Sequence, residues 1–336
     1  MERIGFIFHS KDRKEHSIEN TFFVVEKGLT DYQCENYFCP EKSSKSIFRV
    51  FKNLIYARKV SKGCDIVHMT GDIQYITLAL PKKKTILTIH DCVQIDSSHG
   101  IKKLLMWLFY FYFPIKRARF VTTVSYHVKA ELEKKFPCCK KKIQLVTNTV
   151  SPLFVFSNHV FRKDKTIILI VGTRSNKNLA RIIQSVSTIS NRVCLDIIGK
   201  ISEKEENEMK KWNICFSQSF NITNEQVVNH YSKCDILLFP SLYEGFGVPI
   251  IEAQSVGRVV ITSNIEPMVS VASGGAIFVD PYNEESIRKG IIQAIENDSM
   301  REDIIKKGLE NVKNYQPSFV SNEYRKVYQK IRNEKD

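Results

Sequence analysis

The feature that most constrains this chain is the repeated alternation of short β-rich runs with longer stretches of helical periodicity. The runs fall at residues 3–8, 35–39, 65–69, 85–90, 120–124 and 143–146, and again at 166–171, 193–198, 213–216, 236–239, 259–262 and 276–279. Many are continuous in Val, Ile, Leu and Phe, the pattern of strands covered on both faces. The helical stretches between them supply the crossovers that parallel neighbours need. The expected fold class is α/β, built twice over as Rossmann-like parallel-sheet domains, which suits a length of 336 residues. The expected domains are residues 1–152 and 165–314, joined by a linker at 151–164, with a last helical segment, 315–336, packing back on the first domain.

Charge is unevenly spread. Residues 1–155 hold 26 Lys and Arg against 14 Asp and Glu, whereas residues 156–336 hold 24 against 22. A basic half beside a near-neutral one points to an anionic partner: a membrane surface, a lipid-linked diphosphate or nucleic acid. Nucleic acid is the poorest fit, because no zinc motif, recognition helix or basic sheet with interleaved aromatics is evident. No stretch reaches the ~20 apolar residues that span a bilayer, and the N-terminus does not read as a signal peptide. The nine cysteines are odd in number and form no C-x-x-C pair, which suits reduced thiols in a cytoplasmic protein and no metal site. Residues 104–113, LLMWLFYFYF, have basic residues on both sides. They read either as a buried crossover helix stopped by Pro114 or as a helix with one face dipped into a membrane surface.

The segment richest in chemistry is CDILLFPSLYEGFGVPIIE, residues 234–252. An apolar strand leads into a loop with Glu244, Gly245, Phe246, Gly247 and Val248, and Pro249 then opens a helix. Glycines admit a ligand close to the backbone, and free N–H groups at a helix start suit a phosphate. Glu244 and Glu252 can both turn toward the strand ends, where open α/β sheets bind ligands. Upstream, Gly172 and Thr173 follow another apolar run, and Arg174 and Lys177 place two cations where a leaving diphosphate would develop charge. His90 and Asp91 end a further run.

These residues resemble the retaining glycosyltransferases of family 4. The resemblance is carried by Glu244 and Glu252 in PSLYEGFGVPIIEA, by LIVGTRSNKNL at 169–179, VTTVSYHVKAEL at 121–132, TILTIHD at 85–91, and the strand–loop–strand at 261–281. It implies a GT-B fold, two domains facing a central crevice, with the acceptor on the first and a nucleotide-sugar donor on the second. Glu244 would face the transferred sugar and Glu252 the donor ribose. The backbone of Phe246, Gly247 and Val248 would hold sugar hydroxyls, and His90 would act from the acceptor side, beside Asp91. It also implies transfer without a metal or other cofactor, to a saccharide acceptor; the basic first half points to one that is lipid-linked, in cell-surface polysaccharide synthesis. The enzyme would be cytoplasmic and peripheral on the inner face of the membrane. The family's glycine pair after the first strand is missing; the stretch reads HSKDRKEHSIENTF, in which Ser17 and Glu19 are the candidates for its contacts. A nucleotide-sugar epimerase, an inactive subunit of the same fold and a nucleic-acid-binding protein remain as alternatives.

Overall fold

The computed structural model describes residues 1–11, 17–42, 46–96 and 98–333. The chain forms two compact units, one of residues 1–149 and 317–336, the other of residues 150–316.

The first unit holds β1 (Glu2–Phe8), β2 (Tyr32–Phe38), β3 (Ile66–Met69), β4 (Thr85–Ile89), β5 (Phe120–Thr123) and β6 (Ile143–Leu145). They make one sheet in the order β2-β1-β3-β4-β5-β6, with every pair parallel. The direction of winding reverses between β1 and β3. Along β1, Ile4, Phe6 and Phe8 enter one core layer and Ile7 the other, which is why the run carries no polar side chain from Ile4 onward. Helices Ser17–Lys27 and Pro317–Asn333 cover the first face, around Phe22, Tyr324 and Tyr328. Buried His68 ties the last helix to the sheet, its Nδ1 2.8 Å from the Tyr328 hydroxyl and its Nε2 2.7 Å from Thr88 Oγ1. Burial, helped by the nearby His90, pushes its imidazole down to about 3, so it is neutral at physiological pH.

The aromatic stretch departs from expectation. The helix does not stop at Pro114: Gly100–Met106 continues through a π-helical Trp107–Tyr112 into Phe113–Arg117. The wide turn lets Phe113 N–H reach back to Leu108 O, and Pro114 falls in the first turn of the last piece, where a missing N–H costs little. Nor is it wholly buried: Phe111 and Ile115 are, but Leu104, Leu105 and Phe109 are exposed.

The second unit holds β7 (Thr166–Val171), β8 (Val193–Ile198), β9 (Cys215–Ser219), β10 (Ile236–Phe239), β11 (Val259–Ser263) and β12 (Ile277–Val279). Their order, β12-β11-β10-β7-β8-β9, is all parallel and reverses between β7 and β10. The strand expected at 213–216 begins later, because Asn213 takes a left-handed turn conformation at φ 49°. Cys194 and Cys215, opposite each other in the β8–β9 register, are joined by a disulfide, so the expectation of thiols throughout does not hold for this pair. The other seven cysteines are thiols.

The stretch expected as a linker, 151–164, is part of the second unit. Its anchor is Asp235, a carboxylate only 1 % exposed just before β10. Asp235 accepts from the N–H of Arg162 and of Ile167 and from Arg162 Nε, and lies 2.6 Å from His159 Nε2. A buried carboxylate requires such donors, and the chain before β7 is held in place by supplying them.

Candidate functional site

The glycine loop after β7 and the loop after β10 meet at the switch point of the second sheet. Gly172 has φ 87°, and a Cβ there would come within 3.2 Å of the Lys177 side chain, which lies across it. Lys177 Nζ is 2.5 Å from Glu244 Oε1 and 4.4 Å from the centre of the Phe239 ring. Lys177 and Glu244 are 17 % and 15 % exposed, so the pair is shielded but reachable from solvent. Asn176 reinforces it, donating from Nδ2 to Tyr243 O at 3.0 Å and to Glu244 Oε1 at 3.2 Å. Asn178, left-handed at φ 65° and buried, donates to the carbonyls of Pro240 and Pro281. The two loops are thereby locked together before any ligand arrives. Thr173 donates to Lys200 O at 2.7 Å, joining the loop after β8 to the same group. Arg174 is exposed beside it.

The second loop is equally fixed. Gly247, at φ 100°, leads into helix Val248–Ser255, with Pro249 in its first turn. Phe246 is buried edge-on against Tyr315, which sets the backbone of Gly245 to Val248. One turn into the helix, Glu252 accepts a hydrogen bond from the Tyr231 hydroxyl at 2.6 Å. Burial pushes the Glu252 carboxyl up to about 7, against the opposing effects of that hydrogen bond and of the Lys177 charge. The Tyr231 phenol is held well above its ordinary range, by burial first and then by Glu252, so it stays protonated and donates. Phe154 packs edge-on against the Tyr231 ring.

In the first unit His90 follows β4, with Nε2 2.7 Å from the Thr70 carbonyl. A carbonyl only accepts, so Nε2 carries the proton and Nδ1 is left as the ring's acceptor. Gly71, at φ 133°, makes room: a Cβ there would fall 2.5 Å from His90 Cδ2. Asp91 accepts from the Val93 N–H at 3.1 Å. Burial holds its carboxyl above the ordinary range, and the charge of Asp72 adds to this while the hydrogen bond opposes it. Ser17 opens the helix after β1 and is exposed; Glu19, in its first turn, is buried. Residues 12–16 of the glycine-free stretch lie outside the described residues.

The structure thus gathers Gly172, Thr173, Lys177, Glu244 and the backbone of Gly245 to Val248 at one end of the second sheet, with Glu252 behind them. His90 and Asp91 stand at the matching end of β4. Sequence reasoning missed Asn176, Asn178, Tyr231 and Gly71. Only Asn178 left a local trace, since asparagine is among the few residues that tolerate a left-handed backbone.

A glycine–lysine loop and a helix start meet at the switch point of a doubly wound sheet, the place where open α/β proteins bind ligands, and the two units together have the GT-B fold. The chain belongs to the family 4, group 1 glycosyltransferases: residues 16–152 match the model for Glycosyltransferase Family 4, and residues 154–311 match that for Glycosyl transferases group 1. It is similar to the O-antigen chain mannosyltransferase RfbU of Salmonella typhimurium, at 28% identity over 222 residues, 64% of this chain and 62% of that protein. It is also similar to the N,N'-diacetylbacillosaminyl-diphospho-undecaprenol alpha-1,3-N-acetylgalactosaminyltransferase of Campylobacter jejuni, at 20% identity, 58% of this chain and 54% of that one. Both matches span less than two thirds of the relative's length. The crystal structure of Anabaena HepE with UDP and glucose shares the fold, with a TM-score of 0.78 at 12% identity, over 98% of this chain and 100% of that one.

Proposed function

We propose that this chain is a retaining glycosyltransferase that moves a sugar from a nucleotide-sugar donor to a lipid-linked saccharide during cell-surface polysaccharide synthesis. The observation that carries the reading is the Lys177–Glu244 pair, fixed by Asn176 between two glycine loops. It sets a cation for a diphosphate beside a carboxylate for a sugar. In the proposed reaction the bond from the sugar's anomeric carbon to the diphosphate oxygen breaks, and both electrons leave with the oxygen. Arg174 and Lys177 stabilise that charge, and no metal is needed for the step. The acceptor oxygen bonds to the anomeric carbon on the face the diphosphate leaves, and its proton passes to the departing phosphate oxygen. Glu244 and the backbone of Phe246, Gly247 and Val248 hold the sugar; Glu252 holds the ribose; His90 and Asp91, with Ser17 and Glu19, serve the acceptor.

The Campylobacter relative's name specifies a diphospho-undecaprenol acceptor, and the HepE structure holds UDP and glucose, which supports donor and acceptor classes of these kinds here. Among the described residues no helix is long and apolar enough to cross a membrane. We place the enzyme in the cytoplasm, held peripherally at the inner face by the basic first unit. The experiment is a thermal-shift screen of UDP-, GDP-, ADP- and dTDP-sugars, followed by NMR of the product's anomeric centre. One donor should stabilise the protein and its anomeric configuration should persist in the product. Inversion would remove the retaining mechanism, and the absence of any donor effect or transfer would remove the activity.

A further inference from the structure

Two helices of the first unit carry apolar stripes that the fold leaves uncovered. Helix Ile47–Val60 buries Ala57 in the core and turns Ile47, Phe48, Phe51 and Ile55 outward, at 56–79 % exposure. The spacing i, i+1, i+4, i+8 makes them one stripe. The helical segment 100–117 buries Phe111 and Ile115 and turns out Ile101, Leu104, Leu105, Phe109 and Phe113, again on one side.

The stripes belong to one layer. Both segments pack into the core on the same face of the sheet, the face opposite helix Pro317–Asn333. Tyr75 links them, accepting a hydrogen bond from Asn53 Nδ2 at 2.9 Å and packing its ring 5.3 Å from that of Tyr110. The same helices hold Arg49, Lys52, Arg58, Lys59, Lys102, Lys103, Lys116 and Arg117, and not one Asp or Glu. Glu41, outside both, pairs with Lys52 and Arg49, and Arg117 Nε turns to the Leu80 carbonyl. The remainder keep their charge toward solvent.

A monomeric soluble protein seldom exposes this many large apolar side chains together. A second copy is a poor cover, because a twofold contact sets each patch against itself and like charges against like. An anionic bilayer satisfies both features: acyl chains take the stripes and headgroups take the cations. We propose that the two helices form a single membrane-docking face that inserts into the interface of an anionic membrane. This rests on the peripheral attachment proposed above and deepens it, since charge alone would hold the protein at the headgroups without insertion.

The test uses the full chain with vesicles of phosphatidylcholine alone or mixed with phosphatidylglycerol. Wild type should sediment only with the mixed vesicles. The double variant Phe51→Ser, Phe109→Ser changes exposed side chains and should partition at least about tenfold more weakly, the scale of removing two inserted aromatics. In separate single variants Phe51→Trp and Phe109→Trp, lipids brominated in the acyl chain should quench the added fluorescence above the background of Trp107 and Trp212. Phe319→Trp, on the exposed side of helix Pro317–Asn333, should show no such quenching. Wild type failing to bind any vesicle would overturn peripheral attachment and insertion alike. Binding that the double variant keeps, with no quenching at 51 or 109, would overturn insertion and leave electrostatic attachment standing. Dimerisation that the double variant abolishes, without vesicle binding, would assign the face to a second copy and also overturn it.

Discussion

Tyr231, buried beneath the second sheet's ligand end, donates its hydroxyl hydrogen to Glu252 across 2.6 Å. The bond takes one lone pair of the carboxylate and aims the rest of the group. Tyr231→Phe keeps the ring and its edge-on contact with Phe154 but frees the carboxylate. Affinity for the nucleoside diphosphate should fall about tenfold, in line with ~1–1.5 kcal/mol for one buried hydrogen bond. Isothermal titration measures it, and unchanged affinity would detach Glu252 from the ribose.

Glu252 also makes stability depend on pH. Its folded carboxyl titrates at about 7, above the ordinary 4.5, so folding favours the protonated form. Its contribution is complete below the unfolded value and is lost as pH rises through 7. Glu252→Gln cannot ionise. It should unfold like wild type at pH 4 but be more stable by up to about 3 kcal/mol at pH 8. Glu26, pushed up to about 7 by its own burial, titrates over the same window in both proteins and cancels in the comparison. Urea unfolding at the two pH values decides it; a constant difference between the proteins would contradict the burial argument.

Asn178 separates backbone strain from hydrogen bonding. Asn178→Gly relieves the left-handed φ but loses the bonds to Pro240 O and Pro281 O, whereas Asn178→Ala loses the bonds and adds strain. The glycine variant should be destabilised by about 1–2 kcal/mol, and the alanine variant by about 1 kcal/mol more. If urea midpoints rank alanine above glycine, the conformation at 178 is not what the side chain is selected for.

Much of this architecture was legible before any coordinates. Apolar, β-rich runs announce strands buried on both faces, and ten of the twelve lie within about two residues of the expected ends; β9 starts late, after the left-handed turn at Asn213, and β2 starts three residues early, at Tyr32. Glu244, Lys177 and Gly247 were legible because loop, glycine and charge lie close together along the chain. Tyr231, Asn178 and Gly71 were not, because each acts on a partner in another segment: Asn178 reaches carbonyls 62 and 103 residues away. The disulfide is likewise a property of β8–β9 register rather than of cysteine spacing. The continuation of the helix past Pro114 was not legible, because proline punctuates an α-helix but is tolerated just after a π-turn.

The Lys177–Glu244 pair divides binding from chemistry. Glu244→Gln should leave nucleoside diphosphate affinity within a few-fold while lowering kcat by about 10²-fold, the scale of losing one preorganised electrostatic group. Lys177→Ala should lower both, since it removes the phosphate cation and leaves Glu244 without its ion-pair partner. Arg174→Ala should cost a similar factor, and Arg174→Lys should restore only part of it, because the two-pronged grip is lost. Chelation with EDTA should leave turnover intact. Steady-state kinetics beside titration calorimetry separate these outcomes, and equal loss of binding and kcat in Glu244→Gln would place that carboxylate on the nucleotide instead.

Gly71 gives the acceptor side its own test. The His90 ring lies where a Cβ at residue 71 would be, 2.5 Å from Cδ2, and the backbone there sits at φ 133°. Gly71→Ala must therefore move the ring off the Thr70 carbonyl, which at present keeps the proton on Nε2 and offers Nδ1 to a hydroxyl. Donor affinity should be unchanged, because every donor residue named above belongs to the other unit. Acceptor KM should rise and kcat fall together, by about 10-fold, the scale of losing one hydrogen bond that orients the acceptor hydroxyl. His90→Gln, which keeps an acceptor but cannot switch tautomers, should retain more activity than His90→Ala, and the two should fold alike. The decisive comparison is donor hydrolysis against transfer in Gly71→Ala. Hydrolysis needs no ordered acceptor and should survive when transfer falls. If both fall together while the protein stays folded, His90 serves the donor sugar and not the acceptor.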